Sequence, residues 1–291
     1  MVRLNFSISL TYQVGDASSD FIFNLQAART LNQRVVAEDL WTSQPVAVDY
    51  LLDNALANRY MRLRAGPGPL TVNYRATVDI EHVFAAPQTL LEAPIAQLPM
   101  HVLPFIYPSR YCQSDRLRKL ANREFGHLTP GYWRARAIQE WVQARTTFTS
   151  ASTDSSTSAA DTLIEQVGVC RDFAHLMIAL CRAVNIPARF VSGIDYGANP
   201  ALGPTDFHAY VEVYVGNRWY IFDPSGTAIP MGFIRIGTGR DAADISFATM
   251  FGNVQPMAPV LSIEAVADDN GVCIVPFHCA DAISTAGEFL S

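Results

Sequence analysis

The 291-residue sequence contains no uninterrupted apolar run near the roughly 18 residues that a membrane-spanning helix needs. Its opening, Met1-Val2-Arg3-Leu4-Asn5-Phe6, lacks the contiguous apolar stretch and small-residue cleavage site of a secretory leader, which predicts a cytoplasmic protein. No Lys/Arg run or arginine-rich helix is present, so no phosphate-tracking face for nucleic acid is expected. Charged residues make up only 16%, and the net charge of −6 is dispersed, which argues against a dedicated basic partner. Repeated C-x-x-C spacing is missing, and the five cysteines (112, 170, 181, 273 and 279) are odd in number. They read as reduced thiols, one of them reactive, rather than as a disulfide framework. There is no H-E-x-x-H, and Cys273, His278 and Cys279 form a loose cluster that a strand would scatter over both faces. No metal and no cofactor are expected, and nothing in the pattern assigns an oligomeric state.

What is present is ample core material, 49% hydrophobic residues in a chain long enough for two domains. Leu4, Phe6, Ile8, Leu10, Tyr12 and Val14 alternate with mostly polar residues, the period of a half-buried strand. Further strands are predicted over 60–65 and 70–80, separated by the turn Gly66-Pro67-Gly68-Pro69. Residues 1–85 therefore read as an antiparallel β-sandwich, and the Pro-rich, apolar stretch 86–108 as a connection lying against the surface. Helices are predicted from Ser114-Asp115 to about Phe125, after Thr129-Pro130-Gly131, and along the stripe Phe173, Leu176, Met177, Leu180, Cys181 and Val184. The Ser/Thr-rich tract 146–158 reads as a loop. Strands follow over 188–192, 208–215 and 218–222, the last two joined by a tight hairpin at Gly216-Asn217. Gly237-Thr238-Gly239 reads as a turn, and a late strand is expected over 272–277. The fold class is α+β, with residues 109–291 as the second domain.

The chemistry gathers around Gly168-Val169-Cys170-Arg171-Asp172-Phe173-Ala174-His175. Because the helical stripe begins at Phe173, Cys170 falls at the helix start, where the dipole and unpaired N–H groups favour a thiolate and can hold an oxyanion. Cys181, mid-helix on the apolar stripe, reads as a core residue. A thiolate needs a base, and the base needs an orienting group. His208 opens one hairpin strand and Asp223 ends the other, so the hairpin brings them within side-chain reach. His175, five residues past Cys170, lies on another helical face and reads as a hydrogen-bonding residue behind the site. Asp172 favours the helix N-terminus electrostatically, and Asp206 stands as an alternative orienting group. Tyr111 and Gln113 are candidate side-chain oxyanion donors, with Cys112 a buried thiol.

These segments, with Asn185-Ile186-Pro187-Ala188-Arg189, Asp206-Phe207-His208-Ala209-Tyr210-Val211-Glu212-Val213 and Trp219-Tyr220-Ile221-Phe222-Asp223-Pro224-Ser225, resemble the core of the transglutaminase-like superfamily. The likeness extends to Tyr107-Pro108-Ser109-Arg110-Tyr111-Cys112 and Gly239-Arg240-Asp241-Ala242-Ala243-Asp244, and is similar to the bacterial branch named putative cysteine proteases, which begins with a β-rich transglutaminase-like region. Two departures are Asn185 for the usual Gly and Tyr210 for the usual Trp.

The resemblance implies a papain-like core of helices packed on an antiparallel sheet, with a Cys-His-Asp triad that maps onto Cys170, His208 and Asp223. The implied reaction is cleavage of a peptide or protein amide through a thioester, with water as the expected acceptor. An amine acceptor would make the chain a transglutaminase, and deamidation is a further outcome of the same acyl intermediate. A non-catalytic binding or assembly module on the same fold is the alternative of another class, opposed by the retention of all three triad residues.

Overall fold

The computed structural model describes residues 1–197 and 206–287. Seven strands come first: β1 (Val2–Val14), β2 (Ser19–Phe23), β3 (Gln33–Thr42), β4 (Val48–Asp53), β5 (Asn58–Ala65), β6 (Gly68–Ile80) and β7 (Val83–Ala85). The period-two pattern buries its apolar set: Leu4, Phe6, Ile8, Leu10, Tyr12 and Val14 are all buried while the residues between them are partly or fully open to solvent. β1 runs antiparallel to β6 along their whole length, Val2 opposite Ile80 and Val14 opposite Gly68. Together with β3 they form one sheet of the sandwich, and β2, β5 and β4 form the other. Tyr12, Phe21 and Phe23 cross the gap between the sheets, with ring centroids 5.3 to 5.8 Å apart.

Three 3₁₀ turns occupy the Pro-rich connection, ending at Ile106. There follow α1 (Ser114–Phe125), α2 (Tyr132–Arg145), the two-residue strand β8 (Thr147–Phe148), α3 (Ala159–Glu165), its parallel partner β9 (Val167–Gly168) and α4 (Cys170–Ala183). The sheet beneath α4 comprises β10 (Ala188–Asp195), β11 (Phe207–Val215), β12 (Arg218–Phe222) and β13 (Phe233–Gly239), antiparallel in the order β12-β11-β10-β13. From Asp172 to Ala183 every residue of α4 is buried, because α1, α2 and α3 cover the faces the sheet does not. The hairpin turn has φ of 57° at Gly216 and 59° at Asn217, the doubly left-handed backbone of a type I′ turn.

Two expectations are corrected and two features are new. After β13 the chain returns to the sandwich: β14 (Ala248–Phe251) adds to β2, while β15 (Val254–Pro256) and β16 (Val260–Ala265) both line the free edge of β1. Returning strands cover sandwich edges that would otherwise expose unpaired backbone groups. Another late strand, β17 (Ala282–Ser284), pairs with β7. The segment 272–277 is not a strand; Val272, Val275 and Phe277 are each more than half exposed, so apolar composition there has no sheet to join. Gly237-Thr238-Gly239 ends β13 rather than forming a turn, and its glycines answer close packing. A Cβ at Gly237 would sit 2.5 Å from the Asn24 amide, and one at Gly239 2.7 Å from Asp244 Cβ. The loop 146–158 leads into α3, which the sequence reading lacked although Ser158 and Asp161 form its capping box, with the Ser158 N–H donating to Asp161 Oδ2 at 2.9 Å.

Candidate active site

Cys170 is the first residue of α4, half-buried, with Sγ 3.8 Å from the Phe207 carbonyl oxygen. The turn that places it there is fixed by Asp172. This carboxylate, fully buried, accepts the Val169 N–H at 3.0 Å and the Thr153 hydroxyl at 2.5 Å, and Arg171 pairs with it at 3.2 Å. Reaching back to the residue before the helix, Asp172 does what a capping carboxylate does and also ties down the loop before α3. Gly168 is required by this clamp, since a Cβ there would lie 2.8 Å from Asp172 Cβ.

His208 opens the buried part of β11, its ring against Phe233 with centroids 5.2 Å apart. Its Nε2 lies 3.3 Å from Asp223 Oδ1, and the Cys170 sulfur, 3.8 Å from the carbonyl of the preceding Phe207, also acts on the same ring. Burial by itself would depress the His208 imidazole. The Asp223 charge and hydrogen bond, with the Cys170 sulfur, outweigh it and hold the ring well above the ordinary histidine range. Burial likewise pushes Asp223 up, but His208 and further donors prevail and keep it below the usual aspartate range. Those donors are the Ser225 N–H at 3.1 Å, the Ser225 hydroxyl at 2.6 Å and the Ala228 N–H at 3.0 Å. The Asp223 carbonyl accepts from Gln139 and Gln143 of α2 at 2.9 and 3.2 Å, so α2 holds the turn from behind.

The structure thus brings Cys170, His208 and Asp223 together. The other candidates stand differently. Tyr111 donates its hydroxyl to the Ser155 carbonyl at 2.6 Å and stacks its ring on His175 at 4.9 Å. Gln113 turns Nε2 toward the Arg110 carbonyl at 3.4 Å, leaving a buried Oε1 without a partner. Both amide and hydroxyl donors are therefore engaged away from the thiol. His175 is wholly buried, accepts the Ala242 N–H on Nε2 at 3.2 Å and is pushed well below the ordinary histidine range by burial and by Arg171 and Arg182. A neutral ring wedged between Tyr111 and Phe190 is a packing and hydrogen-bonding residue. Asp206 accepts the Phe207 N–H at 2.7 Å. Burial pushes the Cys112 thiol up to about 12. Among the described residues, no group of three or more His, Cys, Asp or Glu is placed to hold a metal ion.

Sequence reasoning missed Asp195, whose Oδ2 lies 3.3 Å from His208 Nδ1. It also missed Ser225, Gln139 and Gln143. Ser225 had a local signal, because a Ser two residues after Asp in Asp-Pro-Ser is a turn-forming arrangement in which side chain and backbone both bond the carboxylate.

Residues 118–224 match the transglutaminase-like superfamily, and residues 2–101 match the bacterial transglutaminase N-terminal domain. The crystal structure of a putative cysteine protease from Cytophaga hutchinsonii is similar over 97% of both chains, with 38% identity and a TM-score of 0.90. A 115-residue stretch is 32% identical to an uncharacterized protein of Mycobacterium leprae, covering 38% of this chain and 41% of that protein. A 143-residue stretch is 30% identical to an uncharacterized protein of Mycobacterium bovis, covering 45% of this chain and 46% of that one. The chain thus spans less than half the length of these curated relatives. Full-length agreement with the Cytophaga structure and the two family matches lead to one conclusion: the chain belongs to the transglutaminase-like superfamily, a family of papain-like thiol enzymes.

Proposed function

We propose that the chain is a thiol-dependent amide hydrolase acting on peptides or proteins, with Cys170 as nucleophile, His208 as acid and base, and Asp223 as the group that orients His208. The observation that carries this reading is the buried His208 ring, 3.3 Å from Asp223, on the residue after the Phe207 carbonyl that a sulfur at a helix N-terminus approaches to 3.8 Å. An imidazolium beside a thiol supports the ion-paired thiolate, and the first-turn N–H groups of α4 add positive potential.

The thiolate attacks the amide carbonyl, and the oxyanion forms beside the Cys170 N–H, which has no carbonyl within the helix to bond. His208 gives its proton to the departing amine, leaving a thioester on Cys170 and a neutral imidazole. That imidazole then takes a proton from water, hydroxide displaces the sulfur, and the carboxylic acid product leaves with the thiolate–imidazolium pair restored. A primary amine in place of water would give transamidation by the same steps.

The test is intact-mass measurement of the protein mixed with a peptide library under acid quench, followed by challenge with water or a primary amine. An acyl adduct on Cys170, absent in Cys170→Ala, is the expected result, and its decay product names the acceptor. Failure to trap any adduct, together with alkylation of Cys170 no faster than of the exposed Cys273, would refute the reading.

A further inference from the structure

His208 has a carboxylate on each side. Gly193 of β10 is its cross-strand partner, which makes Asp195, two residues along, its diagonal neighbour on the same face. Asp195 Oδ2 stands 3.3 Å from Nδ1, while Asp223 Oδ1 stands 3.3 Å from Nε2. The exposures of Asp195, His208 and Asp223 are 3%, 6% and 4%, so little water competes for these contacts. The β10–β11 register that places Asp195 here is unbroken from Ala188 to Ile194, whereas the pairing of β10 with β13 on its other side shifts between Ser192 and Gly193, skipping Ile236. Gly193 itself is needed there, because a Cβ would fall 2.0 Å from the Ile234 carbonyl oxygen.

We propose that Asp195 is a positioning residue for His208, a second carboxylate that fixes the ring plane and holds the ring as an imidazolium. It rests on the thiol–imidazole reading above and deepens it. A neutral imidazole has one N–H to donate, whereas the protonated ring has two. Asp223 takes the ring's hydrogen bond at Nε2, and Asp195 faces Nδ1 as an ion pair that only the protonated ring completes. The Cys170 sulfur acts on the same ring in the same direction.

The groups around the ring come from four elements. Cys170 faces it from α4, Asp195 from β10, Asp223 from the turn after β12, and the uncharged Phe233 ring from β13. Asp206, just before β11, acts on Asp195 as a like charge. Burial pushes the Asp195 carboxyl above the ordinary aspartate range, with the His208 charge pulling it back down. Asp195 therefore prolongs the imidazolium to higher pH, while its negative charge also opposes the Cys170 thiolate.

The experiment is a ¹⁵N-histidine NMR titration of the full chain, with His208 assigned by its loss in His208→Gln, alongside iodoacetamide labelling of Cys170 across pH. Asp195→Asn is expected to lower the His208 midpoint by about 1–3 units, the range for losing an opposite charge within 4–6 Å, and to move the labelling limb that follows His208 down with it. Asp195→Glu, which keeps the charge, is expected to restore most of the shift, and Asp206→Asn to move the midpoint far less. A folded Asp195→Asn variant whose His208 titrates with the parent overturns the proposal. Should that variant not fold, Asp223→Asn decides: with Asp195 still in place His208 stays above the exposed-histidine range, and a drop below it overturns the proposal. Because the titration needs no turnover, a chain that never forms a thioester would refute the hydrolase reading and leave this test intact.

Discussion

Glu212 lies on β11, four residues after His208, with no exposed surface, and bonds two guanidiniums. Arg189 Nε donates to it at 2.8 Å and Arg235 Nη1 at 3.0 Å, with Arg235 Nη2 bonding its other oxygen. Burial works against both arginines; it lowers Arg189 but loses to the Glu212 charge at Arg235, which marks Arg235 as the stronger partner. Burial also pushes Glu212 up, yet the two cations hold it at about 2 against an ordinary 4.5. At about 1.4 kcal/mol per unit, this depression corresponds to roughly 3 kcal/mol of stability, near the ~3–5 kcal/mol for breaking a buried ion pair. The folded value is the lower one. The contribution is therefore complete above the unfolded-state value of 4.5 and disappears as pH falls toward about 2. Glu212→Gln is expected to lose about 3 kcal/mol at pH 7 by urea unfolding, and the gap to the parent should close between pH 4.5 and 2. Other depressed carboxylates such as Glu38 are common to both proteins and cancel in the difference. A loss under about 1 kcal/mol at pH 7, or a gap constant down the acid limb, would refute the account of this cluster.

For the site itself, Asp223→Asn keeps one acceptor for the Ser225 donors, turns an amide NH2 toward the Ala228 N–H that Asp223 Oδ2 now accepts, and removes one of the two charges beside the imidazole. The acylation rate is expected to fall about 10²–10⁴-fold with substrate binding little changed, and an unchanged rate would exclude Asp223 as the orienting group. For the fold, a fragment of residues 109–291 made without the sandwich is expected to remain unfolded by circular dichroism and amide exchange. A cooperative unfolding transition from that fragment would show that the second half carries its own complete core.

Cys170, His208 and Asp223 were legible because each is set by short-range rules. The helix start follows from the stripe beginning at Phe173, and the hairpin register follows from the two-residue turn at Gly216-Asn217. Even so, the pairing of Val211 with Phe222, continued outward, sets Ser225 opposite His208 and leaves Asp223 as a diagonal neighbour. Asp195 could not be read this way. Its approach depends on which strand lies on the other side of β11, which local periodicity does not encode. The return of 248–265 to the sandwich was hidden for a similar reason. In β14, Thr249, Met250 and Phe251 are all exposed, so no inward apolar face announces a strand, and only the vacant edge of β2 calls for one. The segment 272–277 is the converse, with the composition of a strand but no edge to bind.

The expected split at about residue 85 also conceals how the second half is supported. β13 is the edge strand of the sheet under α4, and its outer backbone groups would be unpaired if that half stood alone. Two buried amides from the sandwich cover them. Gln33 donates to the Arg235 carbonyl and accepts the Arg235 N–H, both at 2.8 Å. Asn58 donates to the Thr238 carbonyl at 2.8 Å and accepts the Thr238 N–H at 2.7 Å. Along the same strand Phe233, Ile234 and Ile236 share one apolar cluster with Phe6, Tyr74 and Met61 of the sandwich. Phe233 in turn packs on the His208 ring, and Ile234 supplies the carbonyl that excludes a side chain at Gly193. The sandwich therefore sets the position of β13, which packs Phe233 on the His208 ring and borders β10 on the side away from β11. A β-rich N-terminal region thus bears on the His208 ring through the packing of β13.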